Sequence, residues 1–317
     1  MHNSPDKPQL SVAIPVYNFV SFLPQTLDSI LDQASEENVE VLVFDGGSTD
    51  NTPQIAARYA KRYSNFRYVR AMLKGGIDAD MARCVELTGT RYCWLFSGDD
   101  VMLPGAIRKV NQALYSWQPD LLLCRHNECL IDMSVLKDWP VLSFKTDRLF
   151  KLHKKYERRD YFESATSSEA FFSFMGGLVI NRSTWFQSKL LPSLKGTNWA
   201  HVGRLWRLTE QRFQLGYIHT PVLDRRGEND SFSNDGMLAR LDIQINGLLD
   251  IIEDIYGEAS LEARELKRVL RSEVLPDWSR AVHLDLECNG GSVEEFSQLE
   301  KMLTRIEPMQ KIIEKVI

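Results

Sequence analysis

Short apolar runs alternate with amphipathic stretches over the first 125 residues, and few folds accommodate that rhythm. Leu10 to Val16 reads as a strand, with Pro15 marking where ladder hydrogen bonding ends. Ser21 is placed to cap a helix that carries Leu23, Leu27, Ile30 and Leu31 on one face. Val39 to Phe44 predicts a second strand, after which Thr52 as N-cap and Pro53 at the first helical position open a helix to about Tyr63. Phe66 to Ala71 is a third strand, Asp78 to Thr88 a helix closed by Gly89, and Tyr92 to Phe96 a fourth strand. A helix from Pro104 to Leu114 and a fifth strand, Asp120 to Cys124, follow. Strands joined through helices require right-handed crossovers, so the chain is expected to be α/β with a mostly parallel sheet flanked by helices.

In such a sheet, ligands sit beyond the carboxyl ends of the strands. Asp45 follows the second strand and Asp99-Asp100 the fourth, which puts both acidic sites on one edge, near Pro15, Tyr17 and Asn18. Adjacent carboxylates repel each other and resist burial, so a fold that sets them at a strand end usually supplies a cation or donors. Aspartate oxygens are hard ligands suited to Mg²⁺ or Mn²⁺. The alternative is a solvated surface turn. For Asp45 the alternative is a turn residue that satisfies the Gly46-Gly47 backbone.

A net charge of −5 leaves no basic excess with which to bind nucleic acid. The five cysteines are odd in number and lack a Cys-x-x-Cys pair, a pattern of a reducing cytoplasm rather than of disulfides or structural zinc. Residues Met1 to Gln9 show no secretory signal, and Phe171 to Ile180, broken by Ser173 and Gly176-Gly177, is too short to span a bilayer. Membrane contact is therefore expected to be peripheral.

Lys145 to Asp160 is a basic run, either a solvated face or a contact for an anionic acceptor or phospholipid headgroups. Phe171 to Ile180 predicts a buried turn and strand, with close backbone approach at Gly176-Gly177. An amphipathic helix from about Ala200 to Arg212 and a polar loop from Arg225 to Phe232 come next. Beyond Gly236 the chain reads as helical. Its apolar stripes, Leu238 to Ile255 and Phe296 to Val316, are expected to pack on the catalytic body or in a homodimer.

Ile14-Pro-Val-Tyr-Asn18, Val43-Phe-Asp-Gly-Gly-Ser-Thr-Asp-Asn-Thr52 and Leu95-Phe-Ser-Gly-Asp-Asp100 resemble the successive signatures of family 2 glycosyltransferases with the GT-A fold. More weakly, Gly75-Gly-Ile-Asp78, Gly176 to Arg182, Trp199-Ala-His201 and Arg226 to Phe232 are similar to the abequosyltransferase-like branch, which adds sugars to bacterial O-antigen intermediates. The resemblance implies a catalytic domain over residues 1–236, with a nucleotide-sugar half (1–125) and an acceptor half (126–236). A helical C-terminal region (237–317) follows. It also implies a cytoplasmic enzyme that uses Mg²⁺ or Mn²⁺ to move a sugar from a nucleotide-sugar to a saccharide acceptor, lipid-linked and part of lipopolysaccharide.

Carried over by residue, Pro15 and Tyr17 would wall the base, with Asn18 and Asp78 also in the donor site. Asp45 would bond the base or ribose. Asp99 would face ribose or donor sugar, and Asp100 would bind the metal. Family relatives place a Glu-Asp pair where this chain has Ala200-His201. Either His201 takes over as base, since an imidazole titrating near neutral can do so, or it binds metal or acceptor, or it is a buried structural histidine. Glu169, Asp224, Glu228 and Asp230 are the other candidate bases. Arg225 and Arg226 either pair with donor phosphates or tie their loop to Glu228 and Asp230. Two other functions remain open: a silent nucleotide-sugar-binding partner, and a sugar nucleotidyltransferase. The latter lacks the Gly-rich, basic loop it would need after the first strand.

Overall fold

The computed structural model describes residues 9–189, 191–229 and 236–307, so Asp230, Ile313 and Val316 lie outside it. The first part alternates as expected: β1 (Leu10–Val16), α1 (Leu23–Glu36), β2 (Glu40–Asp45), α2 (Thr52–Arg62), β3 (Phe66–Arg70), α3 (Ile77–Leu87), β4 (Tyr92–Leu95), β5 (Val101–Met102), α4 (Ala106–Trp117) and β6 (Leu121–Cys129). Then come β7 (Val135–Trp139), β8 (Arg148–Lys151), α5 (Lys155–Glu163), β9 (Leu178–Asn181), α6 (Arg182–Trp185), α7 (Ala200–Trp206) and β10 (Gln214–Arg226). Four helices end the described chain: α8 (Gly236–Tyr256), α9 (Leu261–Val274), α10 (Asp277–Asn289) and α11 (Val293–Ile306).

The strands form one sheet in the order β3-β2-β1-β4-β9-β6-β10-β5, with β7 on β6 and β8 on β10. β3, β2, β1 and β4 are mutually parallel, and so are β6 and β10. The fifth predicted strand, now β6, is not the direct neighbour of β4, because β9 is inserted antiparallel between them. Gly177, just before β9, makes that insertion possible: a Cβ there would come within 2.8 Å of the Cys124 carbonyl.

Alternation within the strands divides the core between the two faces of the sheet. Val12, Ile14, Val41, Val43 and Trp94 pack toward α1, α2 and α4, whereas Ala13, Leu42, Cys93 and Leu95 face α3 and the later helices. Each fully buried large apolar side chain contributes about 1.5–3 kcal/mol relative to exposure. Leu241, Ile245, Leu248 and Leu249 of α8, and Leu299 and Leu303 of α11, join this second core. The described parts of both C-terminal stripes are thus covered within a single chain.

Several local expectations differ from the structure. Ser21 does not cap α1, which starts behind Phe22 without a side-chain cap. Asn51 occupies the N-cap of α2, because the Thr52 hydroxyl accepts the Phe19 amide at 2.9 Å and is not available to cap its own helix. The helix at Ala200 ends at Trp206, not Arg212. Arg225 and Arg226 close a thirteen-residue strand and do not open a loop. Within the basic run, Arg148 pairs with Asp160, Lys154 with Glu157, Arg158 with Glu262 and Arg159 with Glu163.

Candidate active site

Parallel pairing brings the carboxyl ends of β1, β2 and β4 to one edge, and there a cavity of about 360 Å³ opens. Pro15 and Tyr17 line it from β1, and Ser97, Asp99 and Asp100 from the turn after β4. That turn is held against α1: the Thr26 hydroxyl donates to the Gly98 carbonyl at 3.0 Å. A Cβ on Gly98 would come 2.7 Å from Val16 and 2.9 Å from the Phe19 ring, so the close approach needs glycine.

Asp100 is the most constrained group in the site. It is 1% exposed. Its Oδ1 accepts the Arg226 backbone amide at 2.9 Å, while its Oδ2 is buried without a partner among the described residues. Burial, and then the charge of Asp99, push its pKa up to about 8. An orphaned, buried carboxylate oxygen beside a second carboxylate suits a hard divalent cation. Asp99 is oriented by Ser97, which donates to its Oδ1, and by Asn229, which donates to Oδ2 at 2.8 Å. Among the described residues no three His, Cys, Asp or Glu side chains converge to hold an ion. An ion here would therefore complete its shell with substrate phosphate oxygens and water, a habit of Mg²⁺ in particular.

Arg226 serves as scaffolding for this pair. Its Nε donates to the Asp99 carbonyl at 2.9 Å, and its remaining nitrogens reach the Ile131 carbonyl and Gln25 Oε1. Arg225 takes the more exposed course, pairing with Glu128 at 3.2 Å and lying over the Phe174 ring.

Asp45 is brought to the same edge but does not line the cavity. It is fully buried, accepting from the Gly47 and Ser48 amides at 2.9 and 2.6 Å and from the Tyr68 hydroxyl at 2.5 Å. The bonds from Gly47 and Ser48 are of the turn-forming kind, although the Gly46 amide donates instead to the Val16 carbonyl at 2.8 Å. Asn18, at φ 62°, likewise spends its side chain on the Thr49 and Asp50 amides. Asp78 accepts from the amides of Gly196, Asn198 and Ala200, and so fastens the approach to α7 onto α3.

Besides Asp99 and Asp100, a third carboxylate lines the cavity, Asp80, which sequence reasoning passed over. It packs against Gly46 and Gly75, where a Cβ would stand 2.4 and 3.2 Å from its oxygens. Burial and the nearby Asp45, opposed by Lys74, raise its pKa to about 6. Lys74 is the other omission, with its ammonium 4.1 Å from the centre of the Tyr17 ring. The Asp78-Ala79-Asp80 spacing held the signal: on a helix, residues two apart face different neighbours.

His201 lines the cavity too. Its Nε2 donates to the Phe172 carbonyl at 3.1 Å, which leaves Nδ1 as a buried lone pair without a partner. Burial, only partly offset by Asp78, lowers its pKa to about 4, so the near-neutral titration expected of it does not hold. Glu169 lies in a neighbouring cavity, 2.9 Å from His126. Asp224 is bonded to Asn127 at 2.8 Å and lines neither cavity, and Glu228 is exposed at the second one.

Comparison with known proteins agrees with this geometry. Residues 11–172 match the model of glycosyl transferase family 2. Abequosyltransferase RfbV of Salmonella typhimurium is 28% identical over 291 residues, spanning 90% of this chain and 86% of that protein. S. aureus TarS, solved with UDP-GlcNAc, superposes with a TM-score of 0.60 at 14% identity, covering 94% of this chain and 80% of TarS. The mannosyltransferase PcManGT of Pyrobaculum calidifontis, solved with GDP-Man and Mn²⁺, gives 0.53 at 16% identity over 96% and 83%. No described helix is long and apolar enough to cross a membrane. The three ordered motifs, the sheet that gathers them and the family match lead to one assignment: the chain belongs to glycosyl transferase family 2 and is a glycosyltransferase with the GT-A fold.

Proposed function

We propose that the chain transfers a sugar from a nucleoside-diphosphate donor, bound in the cavity beside Asp99 and Asp100, to a hydroxyl of a saccharide acceptor with inversion. The unpartnered Oδ2 of Asp100 is the observation that carries this reading. Asp100, with Asp99 beside it, would hold Mg²⁺ or Mn²⁺, and such a cation would offset the charge that develops on the leaving group. Pro15 and Tyr17 wall the base, while Asp80 accepts from its N–H groups or from ribose. Lys74 and Arg225 provide positive charge for the phosphates.

In the transfer, the acceptor oxygen bonds to the anomeric carbon as the bond to the diphosphate breaks, and the electron pair leaves with the nucleoside diphosphate. The hydroxyl proton passes to Nδ1 of His201, the neutral base on the cavity wall. The resemblance to the abequosyltransferase-like branch, with 28% identity to the abequosyltransferase RfbV beside it, favours a lipid-linked acceptor reached from the cytoplasmic face of the membrane.

The weak basicity of His201 favours a second reading, a protein that binds donor without turning it over. Release of nucleoside diphosphate from a panel of donors, in Mn²⁺, in Mg²⁺ and in chelator, separates the two. Turnover that depends on the cation supports the transferase. Donor binding without turnover supports the silent partner, and neither binding nor turnover removes both.

A further inference from the structure

A second cavity, of about 390 Å³, adjoins the first, and Ser173, Phe174, Trp199 and Arg225 line both. One wall is the end of the sheet, with Trp139 on β7. The other is built by the C-terminal helices, which contribute Gln244 from α8, Glu273 from α9 and Trp278 from α10. The helical end of the chain therefore forms part of a cleft that opens onto the donor site.

We infer that this cleft is the acceptor subsite and that it takes an uncharged pyranose residue. The inference rests on the transferase reading given above. A pyranose ring has apolar C–H faces and a rim of hydroxyls, so it needs aromatic walls together with fixed acceptors and donors. Trp139, Trp199 and Trp278 give the walls. The indole Nε1 of Trp139 is a buried N–H donor without a partner among the described residues.

Two acceptors are held rigidly. Glu169 receives His126 Nε2 at 2.9 Å and the Ser167 hydroxyl at 3.3 Å. Glu273 receives the Ser168 amide at 2.7 Å and Gln244 Nε2 at 2.9 Å. Carboxylates only accept when ionised, which matches hydroxyl donors. Glu128 and Glu228 line the cleft as well, giving four carboxylates against the cations Lys137, Arg225 and Arg240. Burial raises the pKa of Glu273 to about 7, so the lining is close to balanced and offers no surplus of positive charge to an anionic sugar or lipid headgroup. A sugar seated here presents a hydroxyl at the seam with the donor cavity, where Trp199 stands 6.2 Å, centre to centre, from the His201 ring.

Saturation-transfer NMR on the full chain tests this, with methyl glycosides of neutral hexoses and 6-deoxyhexoses, methyl glucuronide as the charged comparator, and UDP, GDP, CDP and dTDP, each with Mg²⁺, as donor-site probes. The expected result is transfer to one or more neutral glycosides, undiminished by bound nucleotide, with a weaker signal from the glucuronide. The affinity should fall at least about tenfold in Glu273→Gln, which keeps the shape of the side chain, and in Trp278→Ala, while the distant Tyr115→Ala is unchanged. Nucleotide signals from both cleft variants show that they are folded. If nucleotides bind the wild type but no neutral glycoside does, or if Glu273→Gln and Trp278→Ala bind glycosides as the wild type does, the cleft is not the acceptor subsite. If no nucleotide binds the wild type, it is the transferase reading that fails.

Discussion

The backbone amide of Arg226 donates to Oδ1 of Asp100 at 2.9 Å, across 126 positions of sequence, and leaves Oδ2 of the same carboxylate buried and bare. β10 thus fixes the orientation of a carboxylate whose second oxygen meets no hydrogen-bond partner among the described residues. Asp100→Asn keeps that amide bond and removes the charge. Donor turnover should fall at least about 100-fold, on the scale of losing one preorganised electrostatic group. Thermal unfolding should show no loss of stability, since the buried charge is costly to the fold.

Asp45 answers to the fold more than to the ligand. Asp45→Asn loses the Tyr68 hydroxyl bond and the 3.8 Å approach of Arg70 while keeping an oxygen for Gly47 and Ser48. Stability should drop by about 1–3 kcal/mol, the range for hydrogen bonds to a charged group. Urea denaturation reads that loss, and the donor KM should change less than the midpoint implies.

Asp80 is expected to carry the donor contact assigned by resemblance to Asp45. Asp80→Asn should raise the donor KM by about 5- to 30-fold, equivalent to about 1–2 kcal/mol, with little change in acceptor KM. Because the acceptor form is the ionised one and its pKa stands at about 6, the share of donor affinity that Asp80 contributes should be full above that pH and decline as pH falls through it. The decline should be absent from the Asn variant.

His201 gives a stability signature independent of activity. Its pKa is about 4 in the fold and near 6.5 when unfolded, so the unfolded chain binds more protons between those values. Its contribution is therefore present above pH 6.5 and is lost as pH falls toward 4, by up to about 3 kcal/mol. Chemical denaturation of wild type and His201→Gln across that window should show a shallower acid loss in the variant.

How far the sequence disclosed all this depends on the period of each segment. β1, β2 and β4 are short, buried on both faces and rich in Val, Leu and aromatic residues, with the half-exposed β3 at the sheet edge, so the strand rhythm and the shared edge were legible. β10 was not, because Gly216 and Pro221 interrupt it. Its register shifts between Ile218 and Leu223, and Gly216 is needed where a Cβ would strike Leu122 at 2.8 Å. The place of β9 was hidden for another reason: antiparallel insertion depends on a partner distant in sequence. At the site, Asp99 and Asp100 were visible as an acidic pair at a strand end. The exchange of roles between Asp78 and Asp80 turns on the direction of two side chains on one helix, which a motif does not specify.

The most direct test of the account is calorimetric titration of UDP, GDP, CDP and dTDP into wild type and Asp100→Asn, each with Mn²⁺ and with chelator. The account predicts that at least one nucleotide binds the wild type, that chelator weakens that binding, and that Asp100→Asn in Mn²⁺ behaves as the wild type does in chelator. Equal affinity in wild type and variant, with the same response to Mn²⁺, would contradict a cation-supported diphosphate site at Asp100.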